Sequence, residues 1–315
     1  MLNRRYLRIK VYQALYAYWQ SDGGSAAKVE KELFVSIERT YDMYVQLMLL
    51  FGEMKRIAEN RIEERRSRRL PTAEDLSPNL RFVANPVLVM LSESKLLLAE
   101  SEKRRTGWMG EGEMLGKLLK HIEASAPYKA YMADTEHTFA KHQGLLLQLF
   151  LDDISDFEAL HDYYEGKSIH WLEDLDLACT LVKRSLEDLQ PSDTDLVLND
   201  LTRDPAEERD FVTPLFRRTI EQSEEHEKII AERASNWEAD RIALSDMILM
   251  KMALTEARIF EQIPVKVTLN EYIEVAKAYS TPKSKNFING ILDKLFQEMK
   301  ESGEIRKVGR GLLES

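Results

Sequence analysis

Apolar residues recur at helical spacing in one segment after another along this chain, and the segments are long. Over residues 3–20, Leu7, Val11, Ala14 and Tyr18 form one stripe with Leu15 beside them. Arg5, Tyr6, Ile9, Lys10, Gln13 and Tyr16 occupy a different arc, and Ser-Asp-Gly-Gly-Ser at 21–25 ends the helix. A very long pattern from about 26 to 69 is apolar through Val45–Phe51 and basic from Arg61 to Arg69, where Pro71 stops it. Asn85-Pro86 reads as an N-cap with proline at the first helical position, opening a helix to about Arg105. Beyond a glycine-containing loop at 107–112, helical patterns return at 113–124, 126–132, 136–152 and 170–189. A polar connector, Pro191 to Pro205, precedes a last set at 206–222, 224–235, 239–260, 269–280 and 285–301. Thr268-Leu-Asn-Glu271 reads as a capping box, and the tail from Gly303, with Arg306, Lys307 and Arg310, as a frayed end.

Composition agrees with the pattern. Glycine (13) and proline (9) are scarce in 315 residues, which favours long helices and short turns over a sandwich or barrel. The expected fold class is all-α, as one large domain or two ordinary ones. Nothing repeats at a fixed period, which disfavours a solenoid. No stretch approaches ~20 uninterrupted apolar residues, so no membrane span is expected. The N-terminus turns polar at Gln13 and shows no small-residue cleavage site, so no signal peptide is expected. The lone Cys179 cannot form an internal disulfide and fits a reducing cytoplasm.

Charge changes the picture more. The net charge is −10, yet the first twenty residues carry Arg4, Arg5, Arg8 and Lys10 and no acid. Acids gather elsewhere, at Glu224, Glu225, Glu227, Glu232, Glu238 and Asp240. A local basic patch decides nucleic-acid binding more than the global balance does.

Catalytic chemistry has no foothold in the sequence. Walker A, Rossmann and nucleophile-elbow motifs are missing. His137 and His142 stand five apart, not the helical zinc spacing, and no cysteine supports them. Cys179, in the apolar run 177–182, reads as a small core residue, and Asp152-Asp153 as solvated helix acids. The expectation is no enzyme, no metal and no cofactor.

Two sets of residues point further. The first is Asn3-Arg4-Arg5-Tyr6-Leu7-Arg8 with Gln13-Ala14-Leu15-Tyr16. The second runs from Asn236-Trp237, Asp240-Arg241-Ile242 and Asp246-x-Ile248-Leu249 to Ile263-Pro264-x-Lys266-Val267 and Asn270-Glu271. It continues through Ala276-Lys277-x-Tyr279 and Ser284-x2-Phe287-Ile288-Asn289-Gly290-Ile291-Leu292-Asp293. Together they resemble the NusB family of bacterial transcription antitermination factors, over roughly 3–20 and 210–295.

The resemblance implies NusB-like helical bundles with an additional helical insertion. It divides the chain into N-terminal helices at 1–70, an insertion at 71–205, a C-terminal bundle at 206–302 and a basic tail at 303–315. It implies a short single-stranded boxA-type RNA held together with NusE, a small-subunit ribosomal protein. That complex is tethered to elongating RNA polymerase, chiefly on ribosomal RNA operons. Arg4, Arg5 and Arg8, with Lys10 and Gln13, match the RNA-binding run, since arginine grips phosphates bidentately and stacks on unpaired bases. Tyr6 and Ile9 stand where many relatives are more basic or small, trading charge for stacking or weakening binding. Lys283, Lys285 and Phe287 match the family's RNA loop, Phe287 either stacking on a base or filling the core. Tyr16, Asp240 and Asp246 match its NusE contact. Trp237 is expected in the core, Gly290 at a close helix packing, and Arg61–Arg69 as a solvated helix end or an extension of the RNA surface. Two alternatives stay open: a helical scaffold of this fold without RNA binding, and part of an RNA-modifying enzyme.

Overall fold

A computed structural model describes residues 3–21, 24–167, 171–201, 204–234 and 242–312. Among them the chain is all-α, with no strand. It divides into two compact units, residues 38–201 in one and residues 2–37 with 202–315 in the other. The first helix, α1, is Arg4–Gln20, and the second, α2, is Ala26–Arg66, whose residues are shared between the units.

The 38–201 unit contains, besides most of α2, α3 (Ala73–Leu76), α4 (Pro86–Glu93), α5 (Lys95–Arg104), α6 (Gly112–Ala124), α7 (Ala126–Ala133), α8 (Phe139–Leu149), α9 (Glu158–Lys167) and α10 (Trp171–Asp188). Helix α8 lies at its centre, against α4, α7 and α10. Asn85 does cap α4, its side chain accepting from the amides of Val87 and Leu88. The single helix expected from Pro86 to Arg105 is broken at Ser94. There the Ser94 hydroxyl accepts from the Leu97 amide at 3.1 Å and the Asp195 carboxylate from those of Lys95 and Leu96. Those side chains satisfy the first amides of a new helix, which costs less than forcing one helix past the site. Helix α8 ends in a π-turn, Phe150–Ile154, and α9 follows where no helix is expected from the pattern. Cys179 is half-buried, and burial pushes its thiol pKa up to about 12, so it is inert.

The second unit is α1 and the first turns of α2 with α11 (Pro205–Glu221), α12 (Ser223–Arg233), α13 (Leu244–Ile259), α14 (Val265–Tyr279) and α15 (Ser284–Glu301). Helix α13 is its axis: eleven of sixteen residues are buried, and α1, α11, α12, α14 and α15 all pack on it. A helix covered on so many sides has little solvent face left, and its polar residues Asp246, Lys251, Thr255 and Glu256 are enclosed with the apolar ones. Trp237 lies outside the described residues, as does Asp240.

Three expectations change here. Thr268 and Glu271 form no capping box, because α14 starts earlier, at Val265 after Pro264. Gly290 is exposed on α15 with no atom within 4 Å of where a Cβ would stand, so it permits no close packing. The described part of the tail, residues 303–312, is not frayed. Lys307 Nζ donates to the carbonyls of Ala257 and Phe260 at 2.8 and 2.9 Å, capping the end of α13. The Val308 amide donates to the Glu261 carbonyl at 3.1 Å, and Ile305 is buried. At Gly311 a Cβ would stand 2.0 Å from the Glu261 carbonyl oxygen, so only glycine fits that approach.

Candidate nucleic-acid interface

The site begins with the first turn of α1. Asn3 caps it, its side chain accepting from the Tyr6 amide at 2.8 Å, which fixes where the following arginines point. Helical geometry then separates them. Arg4 and Arg5 project outward with side chains about half exposed, whereas Arg8, three residues on, turns inward and is 3% exposed.

Arg8 lies in a buried polar cluster. Its Nε and Nη2 donate to the two carboxylate oxygens of Glu256 on α13, each at 2.7 Å. Thr268 and Tyr272 of α14 donate to the same carboxylate at 2.9 and 3.1 Å. Burial works against a charged Arg8, but the attraction and hydrogen bonds of Glu256 outweigh it, so the guanidinium holds its proton more firmly than usual. The Phe211 and Tyr272 rings face Arg8 at 5.4 and 5.9 Å. Thr268 and Glu271, spaced like a capping box, serve this cluster instead.

Glu271 joins the buried cluster to the surface. It accepts a bidentate pair from Arg5 at 2.8 and 2.9 Å and lies 3.5 Å from Arg8. Its hydrogen bond raises the Arg5 pKa. Arg4 reaches Glu207 of α11 at 2.9 Å, with both side chains exposed to water. Above these residues opens a cleft of about 640 Å³ walled by Arg4, Arg5 and Arg8, by Gln262, Pro264 and Val267 at the start of α14, and by Arg310 from the tail.

Further along, α1 and α14 run side by side in the same direction and in register. Arg5 pairs with Glu271, and two turns on, at the same sequence offset, Gln13 donates to the Tyr279 hydroxyl at 3.3 Å. Eight residues of helix carry this ridge about 12 Å from the cleft towards the loop before α15. Lys283 and Lys285 stand exposed at that loop, and Phe287 is half-buried in the first turn of α15.

The family model that matches is the NusB family, over residues 176–297. The chain is 44% identical over 125 residues to the transcription antitermination protein NusB of Salinibacter ruber, covering 38% of this chain and 78% of that one. It is 37% identical over 109 residues to the NusB of Geobacter sulfurreducens, covering 35% of this chain and 79% of the relative. To that of Chloroherpeton thalassium it is 42% identical over 106 residues, 34% of this chain and half of the relative. The chain belongs to the NusB family. No solved structure matches it.

The NusB match starts within α10, so the part of α10 from residue 176 on and the connector after it, read from sequence as the end of an insertion, fall inside the family's span. Helix α1 lies outside it. Of the residues the NusB resemblance singled out, the structure brings Arg4, Arg5 and Arg8 to one cleft. It sets Gln13 along the ridge and Lys283, Lys285 and Phe287 at the ridge's far end.

Two RNA candidates need correction. Arg8 spends its guanidinium on Glu256, and Lys10 is 1% exposed with its Nζ 5.3 Å from the centre of the Tyr6 ring. Both are structural groups here, because neither presents its charge to solvent. Among the partner candidates, Tyr16 is exposed. Asp246 is buried and accepts from the Ser280 hydroxyl, so it cannot face a protein partner as it stands. Glu256 went unnoticed in the sequence, where Glu271 reads only as a capping-box residue and Arg310 only as part of a frayed tail. The only signal at Glu256 is its charge within the run Ala253-Leu-Thr-Glu-Ala257.

Proposed function

We propose that this protein is a non-enzymatic transcription antitermination factor that holds single-stranded boxA-type RNA together with NusE and tethers it to elongating RNA polymerase, chiefly on ribosomal RNA operons. The observation that carries this reading is an arginine-walled cleft, in a chain of the NusB family, opening onto a ridge that ends in two exposed lysines. Arg4 and Arg5 grip phosphates from the cleft, with Lys283 and Lys285 holding the strand further on. Gln13 and Phe287 offer an amide and a ring to unpaired bases. NusE docks on the surface that includes Tyr16.

A second reading, a scaffold of the same fold without RNA binding, has one observation in its favour. Arg4, Arg5 and Arg8 each already face a carboxylate. The Arg4–Glu207 pair is solvent-exposed and worth no more than about 1 kcal/mol, and Glu271 keeps Arg8 as a partner when Arg5 turns away, so a phosphate can replace the carboxylate at either arginine. Titrating a labelled boxA-type RNA with the full chain and NusE, against a scrambled RNA, separates the readings. The antitermination reading expects saturable, sequence-dependent binding that NusE strengthens. Equal, weak binding of both RNAs, unaffected by NusE, supports the scaffold.

A further inference from the structure

The tail following α15 lies beyond the residues the family model matches, and it is built into the fold. Three contacts fix it to the end of α13: the lysine cap from Lys307, the Val308 amide on the Glu261 carbonyl, and the backbone approach that admits only glycine at 311. Gly309, at a φ of 52°, turns the chain between them. This path delivers Arg310, exposed, to the wall of the cleft that Arg4 and Arg5 share. Each of the α1 arginines is matched to an acid, whereas Arg310 has no ion pair among the described residues. Among the described residues its guanidinium therefore has no ion pair to break before it takes an anion. Arg306, four residues earlier and also exposed, does not line the cleft.

We infer that Arg310 is an RNA-binding residue of this cleft, gripping a backbone phosphate of a single-stranded RNA, and that the anchored tail exists to present it. The inference rests on the RNA-binding reading above. A planar five-donor fork on a fixed stretch of backbone suits a phosphate better than a mobile basic tail, because less freedom is lost on binding.

The test measures RNA affinity of the full chain across a salt series for the wild type, Arg310→Ala and Arg306→Ala. Loss of one phosphate contact on a single strand should weaken binding and reduce the slope of log K against log salt by about 0.7. Arg310→Ala is expected to show that loss, and Arg306→Ala to keep the wild-type slope. Wild-type behaviour of Arg310→Ala, in a chain that does bind RNA, overturns the inference and leaves the RNA-binding reading standing. Equal losses in both variants also overturn it, since the effect is then diffuse charge. If the wild type binds no RNA at any salt, the RNA-binding reading falls and this inference with it. Arg310 is exposed, so the alanine variant is expected to fold, and an unchanged circular-dichroism melt checks this.

Discussion

Arg5 and Arg8 sit one turn apart on α1 and share Glu271, yet they face opposite demands. Arg8 with Glu256 is enclosed, and removing one member of a buried pair strands the other's charge. Arg8→Ala should therefore cost about 3–5 kcal/mol of stability in urea denaturation. Arg5, half exposed, should cost less than about 1 kcal/mol when replaced by alanine while weakening RNA binding, which separates structure from function within one run. His226 makes a second residue-scale test. It is fully enclosed, and its Nε2 accepts from the Arg258 guanidinium at 3.1 Å. Burial, then Arg258 and Lys251, lower its pKa from 6.5 to about 3. The folded chain keeps it neutral while the unfolded chain protonates it below about 6.5, so stability falls as pH drops through that window. The slope is about 1.4 kcal/mol per pH unit for one proton. His226→Gln should flatten the dependence of the urea midpoint between pH 6.5 and 5 relative to wild type; an equal slope in both contradicts this origin. Sequence alone marked the arginine run but not its division of labour. Arg8's partner lies 248 residues away, and no local pattern encodes that meeting.

At the scale of elements, helix existence was legible because long apolar stripes with few breakers have one economical solution. Boundaries were legible where a cap is local, as at Asn85-Pro86. They were not where a distant side chain supplies the cap, as Asp195 does for α5. Thr268 and Glu271 show the same limit: spacing fits a capping box, but the buried Glu256 and the surface Arg5 make the stronger claims on them. The tail was misread for a related reason, since Lys307 and Val308 find acceptors in the last turn of α13 and the two residues after it rather than nearby. Gly311→Ala should release this segment, because a methyl cannot share space with the Glu261 carbonyl. Hydrogen exchange at the Val308 amide should then accelerate markedly while amides within α13 stay protected. Unchanged protection at Val308 would show that the segment tolerates the methyl.

For the whole molecule, the all-α class and the NusB likeness of the C-terminal helices were both readable from the sequence, and the family match over 176–297 agrees with them. The arrangement into compact units was less so. The unit boundary at 201/202 falls near the end of the polar connector, but the other, at 37/38, falls inside the unbroken α2, where no glycine, proline or change of pattern marks it. The unit formed by residues 2–37 and 202–315 contains every side chain assigned here to RNA. The proposed binding there is electrostatic: Arg4 and Arg5 exchange surface carboxylates for RNA phosphates. The most direct measurement is the salt dependence of boxA-type RNA binding by the full chain carrying Arg4→Ala and Arg5→Ala together. Two lost phosphate contacts predict weaker binding and a slope of log K against log salt shallower by about 1.4 than in the wild type. A folded double variant with the wild-type slope would show that Arg4 and Arg5 hold no phosphate.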